Sequence, residues 1–337
     1  MDDQQNRCSR LEVLLGIADF RPPSAMDAYS LIGQGTTGIG VFKAKAKSNG
    51  QKYAVKKFRF RREFLAAAEK GEMLSYNTVV NSIQEFKNIR DFRHLNLVKY
   101  LWVYVLFDRK PQEHHLCVVM ERCYGPTLDA DLRKHYARRS TGYAEAEIRR
   151  HFTSVALGLH YLHEQRIVHR DLRPENLIFA ETTKQTLKVT DYSTVVKLQE
   201  SVTMTNEVAG GAGPPWTFKA PELVDAVKFG QAGRRSDVWS LGCILVLMLQ
   251  GTPPIFRYNA GRKVISAVSP DEVRTALSQG VVPLMDGDFG RRPRYGVETR
   301  FLNSAKAVLK KCLVPHKDQR PYMNSVRDYE FFNYVAP

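Results

Sequence analysis

The sequence predicts an α+β fold in two unlike parts, a smaller one built mainly of strands and then a larger helical one. Three observations carry this. Short strand-like segments, Ala28–Ile32, Val41–Ala46, Tyr53–Lys56 and Leu116–Cys123, recur between residues 28 and 122. Beyond Gly125-Pro126, the residues Ile148, Phe152, Val155, Leu159 and Leu162 fall at 0, +4, +7, +11 and +14, one face of a helix. Leu241–Leu249 is apolar on every side, which predicts a buried helix, and it is too short to span a bilayer. The expected divisions are an extension over 1–27, a strand-rich part over 28–122 and a helical part over 123–337.

Residues 9–20 place Leu11, Leu14, Leu15 and Ile17 on a short helix that Arg21-Pro22-Pro23-Ser24 ends. Ile32-Gly33-Gln34-Gly35-Thr36-Thr37-Gly38 joins two strands. Glycines at this spacing mark ordinary turns as readily as a loop whose backbone amides meet phosphates. Lys56 ends a strand, and on that pattern alone it reads as a solvated surface lysine. Glu85, Ile89 and Phe92 share a helix face at i, i+4 and i+7. The long helix over 148–162 ends just before His169-Arg170-Asp171-Leu172-Arg173-Pro174-Glu175-Asn176. A carboxylate and an amide at the spacing of Asp171 and Asn176 suit one phosphoryl-transfer site, the acid accepting a hydroxyl proton and the amide oxygen holding a metal ion.

That octapeptide resembles the catalytic loop of the eukaryotic protein kinase family, serine/threonine type, and further family motifs follow in order from about Tyr29 to Phe332. The resemblance implies a bilobal protein kinase fold with a small, mainly β N-lobe and a larger helical C-lobe. It implies ATP and Mg²⁺ as cofactors and a protein substrate phosphorylated on Ser or Thr. Catalytic roles fall to Asp171 as proton acceptor, to Lys56 at the α- and β-phosphates, to Glu85 as partner of Lys56, and to Arg173 at the γ-phosphate. Nucleotide contacts fall to Ile32, Gly33, Gly35, Gly38, Val41, Ala54, Lys56, Met120, Glu121, Cys123 and Ile178. Metal ligands are Asn176 and Asp191. Lys56 is expected in a solvent-accessible cleft. Arg170 is expected to receive an activation-segment phosphate on Thr203, Thr205 or Ser201. Glu222 and Arg320 form an architectural pair, and Ser236–Gly242 a buried helix of the C-lobe.

The chain also departs from the family pattern. Arg173 replaces a lysine, and Arg is a planar fork where Lys is a compact charge. Gly40 shifts Val41-Phe42-Lys43-Ala44 one residue late, as a single insertion in the glycine loop would. About ten extra residues precede the Glu85 helix, placing an insertion around Phe60–Asn77. Thr190-Asp191-Tyr192-Ser193 puts Ser where a glycine is usual, which biases the turn toward one conformation, and gives Tyr192 a hydroxyl that needs a partner if buried. Pro215 stands where a Thr usually faces the catalytic aspartate. An alternative therefore stands beside the enzyme, a pseudokinase that binds nucleotide and regulates another enzyme. A third reading is a basic nucleic-acid adaptor.

Net charge is +15, from 50 Lys and Arg against 35 Asp and Glu, which favours acidic or phosphorylated protein partners. The basic runs Lys56–Arg62, Arg133–Arg139 and Arg291–Arg294 read as solvated faces. None interleaves aromatics as a single-strand binder does, so nucleic acid is not the expected partner. Five cysteines form no close pair, as in a reducing cytoplasm or nucleus. Cys123 reads as a half-buried thiol or a reactive one. Met1–Asn6 is acidic and polar, and no secretory signal is visible there. Nothing in the pattern fixes the oligomeric state.

Overall fold

The computed structural model describes residues 26–33, 40–60, 83, 86–109, 112–139, 143–199, 204–205, 216–251, 257–259, 264–266, 269, 271–272, 275 and 299–333. The expected helix over 9–20, and Gly35, Gly38, Glu85, Ser201, Thr203 and Pro215, lie outside them. The chain divides into two compact units, Met1–His94 with Val98–Cys123, and Leu95–Leu97 with Tyr124–Pro337.

The first unit holds a five-stranded antiparallel sheet of β1 (Met26–Gly33), β2 (Gly40–Ala46), β3 (Lys52–Arg59), β4 (Tyr100–Arg109) and β5 (Gln112–Glu121), in the order β1-β2-β3-β5-β4. β3 lies between β2 and β5 and is buried from Tyr53 to Phe58. Tyr53, Val55, Tyr104, Cys117 and Val119 pack into one core on one face. The pleat turns alternate residues to the other face.

A helical turn at 86–89 carries the buried Phe86 and Ile89, and Ile83 is buried as well. It stops short of the expected Phe92. Arg93 Nη1 donates to the carbonyls of Arg90 and Phe92 at 2.7 and 2.8 Å, taking up carbonyls that a continuing helix would bond.

The described residues of the second unit include four longer helices, α1 (Leu128–Arg139), α2 (Glu145–Glu164), α3 (Arg234–Gln250) and α4 (Thr299–Cys312). Glu147 accepts from the Ala144 amide at 2.9 Å and satisfies the start of α2. Ile148, Phe152, Val155, Leu159 and Leu162 are its buried face, as their spacing predicts. Gly158 lets the Asn96 carbonyl approach, since a Cβ there would sit 2.7 Å from that oxygen. α3 is buried from Ser236 to Met248 and ends on Gly251 in the left-handed conformation, φ 78°. Small ladders sit among these helices. β6 (Ile167–Val168) pairs with β9 (Val196–Lys197), and β7 (Leu177–Phe179) pairs with β8 (Leu187–Val189).

Among the described residues, Cys117, Cys123, Cys243 and Cys312 are buried and form no disulfide. Burial pushes the Cys312 thiol up to about 12 and Cys243 higher still, the opposite of a reactive thiol. No helix among them is long and apolar enough to cross a membrane.

Candidate active site

The site is built outward from one carboxylate. Asp237, in the first turn of α3, is fully buried. Its oxygens accept from the amides of His169 and Arg170, each at 2.8 Å, and from His163 Nε2 at 2.9 Å. Burial alone would push this carboxyl up. The His163 hydrogen bond and the neighbouring histidines outweigh that and hold it below the ordinary aspartate value. The loop after β6 is thereby pinned to α3. Thr194 Oγ1 adds a bond to the His169 carbonyl at 2.7 Å, and Arg170 Nε one to the Thr194 carbonyl at 2.6 Å.

Asp171 follows on this anchored backbone. Asn176, on the 3₁₀ turn Pro174–Asn176, donates from Nδ2 to the Asp171 carbonyl at 2.8 Å and to Oδ2 at 3.0 Å. That fixes the amide so that its oxygen points away from Asp171. The Thr190 amide donates to the Asn176 carbonyl at 2.9 Å, and Leu177 pairs with Val189. Asn176 and Asp191 therefore flank the same end of the β7–β8 hairpin. Two hard oxygen donors at one place suit Mg²⁺, which binds through one or two side-chain oxygens and completes its shell with water and phosphate.

The turn at Asp191 differs from the expectation in its geometry. The positive φ, 59°, is on Asp191 itself, and Ser193 has none. Aspartate tolerates this region better than most residues, and the Ser193 amide donates to Asp191 Oδ1 at 3.4 Å. Arg170 is also left-handed, φ 64°, so two of the four described non-glycine residues with positive φ bracket the site. Strain of this kind concentrates at functional sites. The Tyr192 hydroxyl finds the partner that burial requires, the Val189 carbonyl at 3.0 Å.

Other expected residues are placed as follows. In the sheet, Val41 and Val118 lie opposite Lys56, and Met120 lies opposite Ala54. Opposite residues and every second residue share a face, so Val41, Ala54, Lys56 and Met120 line one side of the sheet. Lys56 is not in an open cleft. It is only 3% exposed, on a strand flanked on both edges, with Nζ 5.0 Å from the Phe58 ring centroid. Lys57 is buried too, over the Phe42 ring. The start of the basic run at 56 is therefore not a solvated face. The Glu121 amide donates to the Lys99 carbonyl at 2.9 Å, and Glu121 lies opposite Tyr53 in the sheet. Cys123 is buried, Ile32 exposed, Gly33 opposite Val41, and Ile178 half-buried on β7.

Arg173 Nε meets Glu175 Oε2 at 3.1 Å. Arg170 is buried, and Thr205 pairs with Ala232. Arg320 grips Glu222 with bonds of 2.8 and 2.7 Å, both side chains fully buried.

Two residues escaped the sequence reading. Asp237 was legible only as part of a buried helix. Lys219 places Nζ 2.9 Å from Asp171 Oδ1. Its one signal was a lysine inside the otherwise uncharged Trp216-Thr217-Phe218-Lys219-Ala220. Together the arrangement holds the Asp171 carboxylate between an amide and an ammonium, a group able to accept a proton, near Asn176 and Asp191, whose side-chain oxygens could hold a cation.

Comparison with known proteins agrees with this geometry. A family model described as protein kinase domain matches residues 26–332. Serine/threonine-protein kinase PAK 5 of Rattus norvegicus is 29% identical over 276 residues, 80% of this chain and 34% of that protein. Serine/threonine-protein kinase PAK 4 of Mus musculus is 30% identical over 235 residues, 70% of this chain and 34% of that protein. Mitogen-activated protein kinase kinase kinase 4 of Homo sapiens is 28% identical over 238 residues, 70% of this chain and 13% of that protein. The chain thus spans about a third or less of the length of these relatives.

Proposed function

The chain belongs to the protein kinase family, and on that premise we propose that it transfers the γ-phosphoryl group of ATP to serine or threonine hydroxyls of proteins. One observation carries the reading: Asp171, Asn176 and Asp191 are assembled on a single hydrogen-bonded frame anchored by Asp237. Asp171 orients the attacking hydroxyl and takes its proton. Asn176 and Asp191 present oxygens to Mg²⁺, which when bound neutralises charge on the β- and γ-phosphates. Lys56 holds the α- and β-phosphates with Glu85 as its partner, and Arg173 adds charge at the γ-phosphate. The glycine loop over Gly33–Gly38 covers the nucleotide, with Ile32, Val41, Ala54, Met120, Glu121, Cys123 and Ile178 around the base.

The divisions proposed are an extension over 1–27, a small lobe over 28–122 and a large lobe over 123–337. The net charge of +15 supports acidic or phosphorylated segments of protein substrates, in the cytoplasm or nucleus. The names of the relatives support serine and threonine over tyrosine.

The test is incubation of the purified chain with γ-labelled ATP, Mg²⁺ and casein, followed by phosphoamino-acid analysis. Label on phosphoserine and phosphothreonine is expected. Label confined to phosphotyrosine, or no label on casein or on the chain itself, contradicts the proposal.

A further inference from the structure

Lys219 and Asp171 form an ion pair of 2.9 Å, with side chains 5% and 13% exposed. A buried ammonium requires a partner, but here the partner is the carboxylate assigned to accept the substrate proton. Both ends of the pair are held by the first two turns of α3. On the lysine side, Ser240 Oγ donates to the Phe218 carbonyl at 2.7 Å, and Ser236 Oγ donates to Glu222 at 2.7 Å. Arg320 grips the same Glu222, and the Lys219 amide donates to the Trp216 carbonyl at 3.0 Å. On the aspartate side, Asp237 takes the amides of His169 and Arg170. One helix therefore sets where the ammonium and the carboxylate meet.

Among the described residues, the carboxylate has one side-chain donor on each oxygen, Lys219 on Oδ1 and Asn176 on Oδ2. Each oxygen keeps a second lone-pair direction for substrate. The loop's own cation, Arg173, is engaged with Glu175, and Pro215 has no side-chain donor to offer.

We propose that Lys219 is a positioning residue for phosphoryl transfer, its ammonium fixing the orientation of the Asp171 carboxylate. The inference rests on the reading of Asp171 as proton acceptor. In that step the substrate oxygen bonds to the γ-phosphorus as the bond to the β,γ-bridging oxygen breaks. ADP leaves with the electron pair, and the hydroxyl proton passes to Asp171. Lys219 makes and breaks no bond. It holds the acceptor in line, and small misplacements of such groups are costly to rate.

Labelled-ATP transfer to casein is compared for the wild type, Lys219→Met and Lys219→Arg, with thermal melts as a folding check. Lys219→Met is expected to lower kcat about tenfold or more. The KM for ATP stays within about twofold, because the lost interaction does not bind the nucleotide. Lys219→Arg, which keeps the charge, recovers most of that loss. If the Met variant does not fold, Lys219→Gln takes its place, with the same fall in kcat expected. A folded uncharged variant with wild-type kcat overturns the inference, and so do Met and Arg variants that are equally slow. A wild type that transfers nothing removes the kinase reading itself and the role of Lys219 with it. A transferring wild type with an indifferent Lys219 variant removes only the latter.

Discussion

At the scale of single residues, the site depends on which oxygen faces which donor. Asn176 uses its amide nitrogen on Asp171, so its oxygen is the end available to a cation. Asp191 is held in the left-handed region beside it. If these two oxygens bind Mg²⁺, ATP raises the melting temperature more with Mg²⁺ than without, because a ligand of the native state stabilises by mass action. In Asp191→Ala the metal-dependent part of that rise should shrink to near zero while the metal-free part remains. A wild-type shift indifferent to Mg²⁺ contradicts the assignment.

Single residues were also the hardest to read from sequence. The motif around Asp171 was legible because its members are neighbours in the chain. Lys219 meets Asp171 across 48 positions, and no local pattern encodes such a contact. Lys56 was legible as a strand residue, but it is buried beside Val41, Val118 and the Phe58 ring, and the pairing with β2 and β5 that brings Val41 and Val118 there is not encoded locally.

At the scale of elements, periodicity served well where one face meets a core. α2 buries the five residues that its spacing singled out. The period carries the Glu85 helix on to Phe92, whereas the helical residues end at 89. The period is blind to the Arg93 guanidinium that closes the turn. α3 has no polar face to read, and its role comes from close contact. A Cβ on Gly242 would lie 2.9 Å from Cys312 Cβ and 3.0 Å from two Leu313 side-chain atoms. Cβ atoms do not sit that close, so α3 and the end of α4 would have to separate. Gly242→Ala is expected to destabilise the chain by about 1–3 kcal/mol, the usual range for overpacking. Chemical denaturation would show it as a lower midpoint with unchanged slope. An unchanged midpoint would mean that this packing yields more easily than its distances imply.

At the scale of the whole molecule, a buried histidine contributes to acid stability. Burial, reinforced by the charge of Arg150, pushes His151 down to about 4. In the unfolded chain it titrates near about 6.5. Between those values the unfolded chain binds a proton that the folded chain refuses. The contribution to stability is therefore whole above about pH 6.5 and declines as pH falls toward about 4, by at most about 1.4 kcal/mol per pH unit. The ring packs edge-on against Tyr143 and Phe179, so His151→Phe keeps an aromatic in place and removes the titration. Urea midpoints of the variant should vary less across this window than those of the wild type. Parallel pH profiles would show that His151 is not the group responsible.

The most direct test of the proposed chemistry removes the proton acceptor and leaves its shape. Asp171→Asn keeps the size of the side chain and supplies no base. Proton acceptance by a positioned side chain contributes on the order of 10²–10⁴ in rate. Labelled-ATP transfer by Asp171→Asn should therefore fall by about that factor, with MgATP binding by thermal shift retained. Transfer near the wild-type rate in the folded, nucleotide-bound variant would contradict the role of Asp171 and the mechanism built on it.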